Sequence, residues 1–120
     1  MQRRLKVGVV GVGTLGQWHT RIYAEMPNAE LVGICDSNPA RAAEIAAKYG
    51  VKIFESVEAL ADAVEAASIV VPTDIHHKIA LPFIQRGRHL LVEKPLAATT
   101  ADAEALVTSA HDKGIILQVG

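Results

Sequence analysis

Leu5-Lys6-Val7-Gly8-Val9-Val10-Gly11-Val12-Gly13-Thr14-Leu15-Gly16 is the stretch that decides the fold. Its first half, Leu5 to Val10, is a short apolar run of the kind that forms a buried strand. Its second half, Gly11 to Gly16, spells G-x-G-x-x-G. From Leu15 to Met26 the pattern turns amphipathic and helical, and Pro27 stops it. Strand, glycine turn and helix in that order open a βαβ unit.

The same rhythm continues to the end of the chain. Leu31 to Cys35 reads as a second strand, closed by Asp36. Pro39 to Tyr49 follows as a helix, with Asn38 as N-cap and Pro39 at its first position. Ala42, Ile45, Ala46 and Tyr49 form its buried stripe, and Gly50 ends it. Val51 to Phe54 is a short third strand, and Val57 to Ala63 a short helix. Ser68 to Val71 is a fourth strand, closed by Pro72. The next helix carries His76, Ile79, Ala80 and Phe83 on one face, and Pro82 is expected to kink or split it near Lys78. Gly87 ends that element. His89 to Val92 is the fifth strand. Thr100 to Lys113 is the last helix, with Ala103, Leu106, Val107 and Ala110 inward, and Ile115 to Val119 is a sixth strand. Alternation of this kind predicts an α/β fold: a doubly wound parallel sheet of about six strands in three αβα layers, of Rossmann type.

Bulk properties agree with that and exclude other classes. At 120 residues the chain is one domain with room for a real core. Half of it is hydrophobic but only 4% aromatic, so Val, Ile, Leu and Ala must build the core. A net charge of −1 with interspersed signs leaves no footprint for nucleic acid. No apolar run approaches a membrane span, and the basic N-terminus leads into a strand rather than a signal peptide. The single Cys35 has no disulfide partner and no metal-ligand spacing around it. A cytoplasmic setting is therefore expected, with no metal and no membrane or nucleic-acid partner.

The glycine loop is the first chemical signal. Alone the motif is weak, but here a strand precedes it, a helix follows, and the acidic Asp36 lies 20 positions after Gly16. Gly11 permits the tight turn, Gly13 admits a pyrophosphate to the backbone, and Gly16 lets the helix pack on the strand. Thr14 and Leu15 complete the loop at the helix N-terminus, whose free N–H groups and positive dipole end suit phosphates. Asp36 would accept both adenosine ribose hydroxyls and repel a 2′-phosphate, favouring NAD over NADP. Arg41 is near enough to hold such a phosphate, although a solvated position on its helix is the favoured role.

A second signal lies at the end of the fifth strand, in Glu93-Lys94-Pro95. Ligands of open α/β sheets gather at the carboxyl ends of strands. A lysine there can exchange a proton with a substrate hydroxyl or carbonyl, and Lys94 is the candidate catalytic residue. Pro95 follows it, and X-Pro is where a cis bond is inexpensive. At the end of the fourth strand, Pro72, Thr73 and His76 would border the nicotinamide half of the cofactor. For His76 a packing role and direct contact stand level. His19 could lean toward the cleft, but a helix-surface or packing role is favoured, and His77 and His111 are read as solvated.

With these residues in place the chain resembles the nucleotide-binding half of the Gfo/Idh/MocA oxidoreductases, the glucose–fructose oxidoreductase and inositol dehydrogenase family. The resemblance covers essentially all 120 residues. It rests on Gly11 to Gly16, Asp36, Pro72-Thr73 with His76, Gly87, and Glu93-Lys94-Pro95-Leu96. It implies NAD(P)-dependent hydride transfer at a carbinol carbon of a sugar, cyclitol or nucleotide-sugar. Lys94 then corresponds to the family's catalytic lysine, and Glu93 helps seat the nicotinamide ribose. Leu117-Gln118-Val119-Gly120 resembles members that oxidise nucleotide-activated amino sugars at the 3-position. Family members continue into a second α/β domain that carries most of the substrate pocket and usually the oligomer contacts. The expectation is therefore a truncated N-terminal domain, 1–120, inactive alone but part of a homo-oligomeric enzyme when whole. The alternatives are a non-catalytic NAD(H)-sensing module and, more weakly, a domain for another adenosine ligand such as FAD or S-adenosylmethionine.

Overall fold

The computed structural model describes residues 3–120. Among these residues six strands form one parallel sheet: β1 (Leu5–Val10), β2 (Ala29–Cys35), β3 (Lys52–Ile53), β4 (Ala66–Ile69), β5 (His89–Val92) and β6 (Leu117–Val119). Five α-helices connect them: α1 (Thr14–Glu25), α2 (Pro39–Tyr49), α3 (Val57–Ala63), α4 (His76–Gln85) and α5 (Thr100–Lys113). The spatial order is β3-β2-β1-β4-β5-β6, which is the doubly wound Rossmann order. Its reversal falls between β1 and β4, and the crevice of such a sheet opens there.

Alternate residues of each strand face opposite layers. Val9 and Ile34 pack with Ala42 and Ile45 of α2 on one side. Val10, Ile69 and Val92 pack with Leu60, Phe83 and Leu106 on the other. The helices begin where side chains supply the missing acceptors. Asn38 Oδ1 accepts from the Ala40 and Arg41 N–H groups, Ser56 from Ala59, and Thr99 from Asp102. Gly50 and Gly114 close α2 and α5.

β3 and β6 are shorter than the sequence expectation, β4 starts earlier, at Ala66, and α1 runs from Thr14 to Glu25. Four further differences have a structural reason. β4 ends at Ile69 rather than Val71, because its partner β1 turns away at Gly11 after the Val70 N–H reaches the Val10 carbonyl. Val70 and Val71 are thereby released to line a cleft. β2 starts at Ala29, since Leu5 and Lys6 pair with Ala29 and Glu30. Pro82 does not split α4. The helix is continuous from His76 to Gln85, and exposed Lys78 leaves the unpartnered carbonyl beside solvent. Val107 is 54% exposed and not inward: with Ala103 it borders a shallow surface groove, so the buried stripe of α5 is only Leu106 and Ala110.

Candidate functional site

At the end of β1 the chain turns sharply through Gly11, whose φ is +89°. A Cβ there would collide with the Val70 carbonyl, and one at Gly16 would collide with the Gly11 carbonyl oxygen. Both glycines are thus demanded by backbone packing between β1, α1 and the end of β4. Gly13 is different: a Cβ on it would meet nothing within 4 Å. Gly13 is the N-cap of α1 and supplies no side-chain acceptor to the first N–H groups of the helix.

Asp36 leaves β2 beside this turn. Its Oδ2 accepts the Val12 N–H at 2.7 Å and its Oδ1 accepts the Asn38 N–H at 2.8 Å. Each oxygen retains a lone pair for a further donor, such as a ribose hydroxyl. Gly11, Gly13, Asp36, Ser37, Val71 and Pro72 share one cleft of about 420 Å³. Cys35 also borders it, and burial, reinforced by Asp36 and Glu58, pushes its thiol above the ordinary value.

Arg41 is not a solvated residue. It donates to the Val12 carbonyl at 2.7 Å and to Gln17 Oε1 at 2.9 Å, and pairs with Glu44 at 3.0 Å. The guanidinium ties α2 to the glycine loop. Thr14 and Leu15 are exposed on the first turn of α1, and Thr14 borders the groove between α1 and α2 instead of the cleft. Thr73 lies half-buried in a 3-10 turn, Thr73–Ile75, just past Pro72.

His76 is buried, at 1% exposure. Its ring nitrogens face the Val71 carbonyl at 2.8 Å and the Leu96 carbonyl at 3.2 Å. It ties together the loops that follow β4 and β5, at the rim where the sequence set it. In the β4–β5 register Ile69 faces Val92. Val71 and Lys94, each two residues on, therefore leave the sheet side by side. The Lys94–Pro95 bond is cis, the Lys94 N–H donates to the Gly120 carbonyl at 3.1 Å, and the lysine is exposed. Among the described residues its ammonium has no hydrogen-bond or ion-pair partner.

One side chain does more than its sequence position suggested. His19 Nε2 lies 2.8 Å from Glu93 Oε1, while Nδ1 lies 2.9 Å from the Ser68 hydroxyl. Tyr23 reaches the same hydroxyl at 2.6 Å. Of the readings open for His19, the helix-surface one is corrected: the ring is 13% exposed and faces the sheet and the rim after β5. The available signal was helical spacing, because Gly16, His19, Thr20 and Tyr23 fall at i, i+3, i+4 and i+7.

Comparison with known proteins agrees with this geometry. Residues 5–120 match the Gfo/Idh/MocA family, described as an oxidoreductase family with an NAD-binding Rossmann fold. The UDP-N-acetylglucosamine 3-dehydrogenase of Acidithiobacillus ferrooxidans is 41% identical over 116 residues, which is 97% of this chain and 36% of that protein. Its crystal structure superposes with a TM-score of 0.93, covering 98% of this chain and 38% of that one. GenD2 from gentamicin A biosynthesis, in complex with NAD, gives a TM-score of 0.94 at 31% identity, covering 100% of this chain and 35% of that one. Biliverdin reductase from Synechocystis, with biliverdin and NADP+, gives 0.91 at 30% identity, covering 96% and 37%. The chain spans little more than a third of the length of these relatives. A Rossmann strand order, a glycine turn capped by an open helix end, and a glutamate–lysine–cis-proline rim occur together over the matched span, and this chain belongs to the Gfo/Idh/MocA oxidoreductases as their NAD(P)-binding domain.

Proposed function

We propose that this chain is the cofactor-binding part of an NAD-dependent dehydrogenase acting on a secondary hydroxyl of a sugar, cyclitol or nucleotide-activated sugar. The observation that carries it is convergence at one sheet edge. The Gly11 turn, Asp36, the Val71-Pro72 rim and Glu93-Lys94 follow β1, β2, β4 and β5 at their carboxyl ends. The residues suit the cofactor: Gly13 leaves room for a pyrophosphate, the α1 N-terminus supplies donors, and Asp36 keeps acceptors for ribose hydroxyls. When bound, the nicotinamide would accept or return hydride. Lys94 would take the proton from the substrate hydroxyl as the neutral amine and give it back as the ammonium in reverse, and among the described residues its side-chain nitrogen has no partner that would hold it away from the substrate. Glu93 would seat the nicotinamide ribose.

NAD is proposed over NADP on electrostatic grounds. The Asp36 carboxylate would repel a 2′-phosphate, and Arg41, which could attract one, is already engaged by Val12, Gln17 and Glu44. A nucleotide-activated amino sugar, oxidised at its 3-position, is the substrate class favoured by the 41% identity to a UDP-N-acetylglucosamine 3-dehydrogenase. The buried free thiol of Cys35 suits a reducing compartment such as the cytoplasm.

Two measurements test this. Calorimetric titration should give NAD binding at least tenfold tighter than NADP, and equal affinities would remove the Asp36 argument. In a polypeptide that also carries the region beyond this span in the relatives, Lys94→Ala should abolish turnover of a nucleotide sugar and spare NAD binding. Retained turnover would refute the role of Lys94.

A further inference from the structure

Ser68 lies in the middle of β4 with no exposure, between helical layers where apolar side chains are the norm. A buried hydroxyl costs stability unless it is hydrogen-bonded. Here it is bonded twice, and the chain of contacts goes further. Tyr23, Ser68, His19 and Glu93 are linked by successive distances of 2.6, 2.9 and 2.8 Å, from α1, β4, α1 again and the rim after β5.

The direction of the chain follows from its end. An ionised glutamate only accepts, so His19 must carry its proton on Nε2 and donate it to Glu93 Oε1. With one proton on the ring, Nδ1 is then an acceptor, filled by the Ser68 hydroxyl. The Ser68 oxygen in turn accepts the Tyr23 hydroxyl. In that arrangement each donor of the chain meets an acceptor, which favours the Nε2–H tautomer. Glu93 is also held by its main chain, through its N–H to the Ile69 carbonyl at 3.2 Å. Among the described residues its other oxygen, Oε2, has no hydrogen-bond partner. It remains the acceptor for a ligand hydroxyl.

We propose that His19, oriented by Ser68 and Tyr23, is a positioning residue that fixes the Glu93 carboxylate beside Lys94 for cofactor binding. The proposal rests on the cofactor reading above for what Glu93 touches, but not for the His19–Glu93 link itself. A charge-assisted hydrogen bond that orders a ligand contact is worth about tenfold in affinity. His19→Leu, which fills the space without a donor, should weaken NAD binding about tenfold. His19→Gln, whose amide N–H can still reach Glu93, should stay within about threefold of the parent. Glu93→Ala should cost a similar factor, and the double variant His19→Leu with Glu93→Ala should bind about as weakly as Glu93→Ala alone. Independent losses multiplying to about a hundredfold, or unchanged binding in His19→Leu, would overturn the proposal.

Nitrogen-15 NMR of the ring gives a second readout that needs no cofactor. His19 should appear as the Nε2–H tautomer in the parent chain, and Ser68→Ala should shift its Nδ1 signal. An Nδ1–H tautomer in the parent would overturn the proposal even if every variant misfolded. If instead the parent chain binds no NAD while the tautomer is as stated, the cofactor reading falls and the His19–Glu93 link stands.

Discussion

Gly13→Ala and Gly16→Ala place the same methyl group three residues apart in one loop, with opposite consequences. At Gly16 the new carbon would overlap the Gly11 carbonyl oxygen and approach its carbon to 2.7 Å. Those atoms are backbone and cannot rotate away, so α1 must shift off β1. Overpacking of this kind costs about 1–3 kcal/mol. For a domain of this length each kcal/mol is about 4 °C in Tm, so the melt should fall by roughly 4–12 °C. At Gly13 nothing lies within 4 Å, and φ −64° with ψ −160° is extended backbone open to alanine. Replacing glycine by alanine at the N-cap costs about 0.3–1.5 kcal/mol, offset by about 0.4–1 kcal/mol from a less flexible unfolded chain. The Tm of Gly13→Ala should therefore stay within about 4 °C of the parent. Its methyl projects into the space assigned to the pyrophosphate. Removing one charge-assisted hydrogen bond there, at about 1.5–3 kcal/mol, should weaken NAD binding roughly ten- to a hundredfold. Differential scanning calorimetry and NAD titration of the two variants separate the cases. Undiminished NAD affinity in Gly13→Ala would refute the placement of the phosphates over Gly13, and a parental melt for Gly16→Ala would refute the close-packing argument.

Asp36→Ala should erase the preference for NAD over NADP in paired titrations, and should cost about 1–3 kcal/mol in urea unfolding because the Val12 N–H loses its acceptor. Arg41→Met keeps the aliphatic stem but unties α2 from the glycine loop. A loss of about 1–2 kcal/mol is expected in the same assay, whereas a solvated arginine would change stability by under about 0.5 kcal/mol. Cys35 gives a pH signature. Burial, with Asp36 and Glu58, raises its thiol above its ordinary value of 9.0, so the folded state keeps a proton that the unfolded chain releases. Its contribution is complete below that value and is lost as pH climbs through the higher folded value. The difference in Tm between the parent and Cys35→Ala should accordingly narrow above about pH 9 and be constant below it.

Much of the fold was legible because its signals are local. Asn38 and Pro39 announce α2, Thr100 to Lys113 is bounded as expected, and G-x-G-x-x-G between a strand and a helix carries its own geometry. Errors came where a neighbour decides. Composition could not end β4 at Ile69, because its last ladder bond depends on where β1 turns at Gly11. Nor could periodicity place Val107, since Leu106, Val107 and Ala110 are all apolar and only packing shows which of them stay out of solvent.

The site divides in the same way, and the strand order explains the division. Contacts made by backbone turns, at Gly11, Gly16 and Asp36, lie within one βαβ unit and could be read from spacing. Side-chain ties could not: His19 meets Glu93 across 74 positions, His76 meets Leu96 across 20, and Arg41 meets Val12 across 29. The order 3-2-1-4-5-6 sets β4 beside β1 although β2 and β3 intervene in sequence. Only that crossover lets α1, rising from β1, lay His19 and Tyr23 against Ser68 on β4 and reach the rim of β5. The polar chain behind Glu93 is therefore a product of topology. A histidine in the first helix meets a glutamate after the fifth strand because the strand order reverses beneath it.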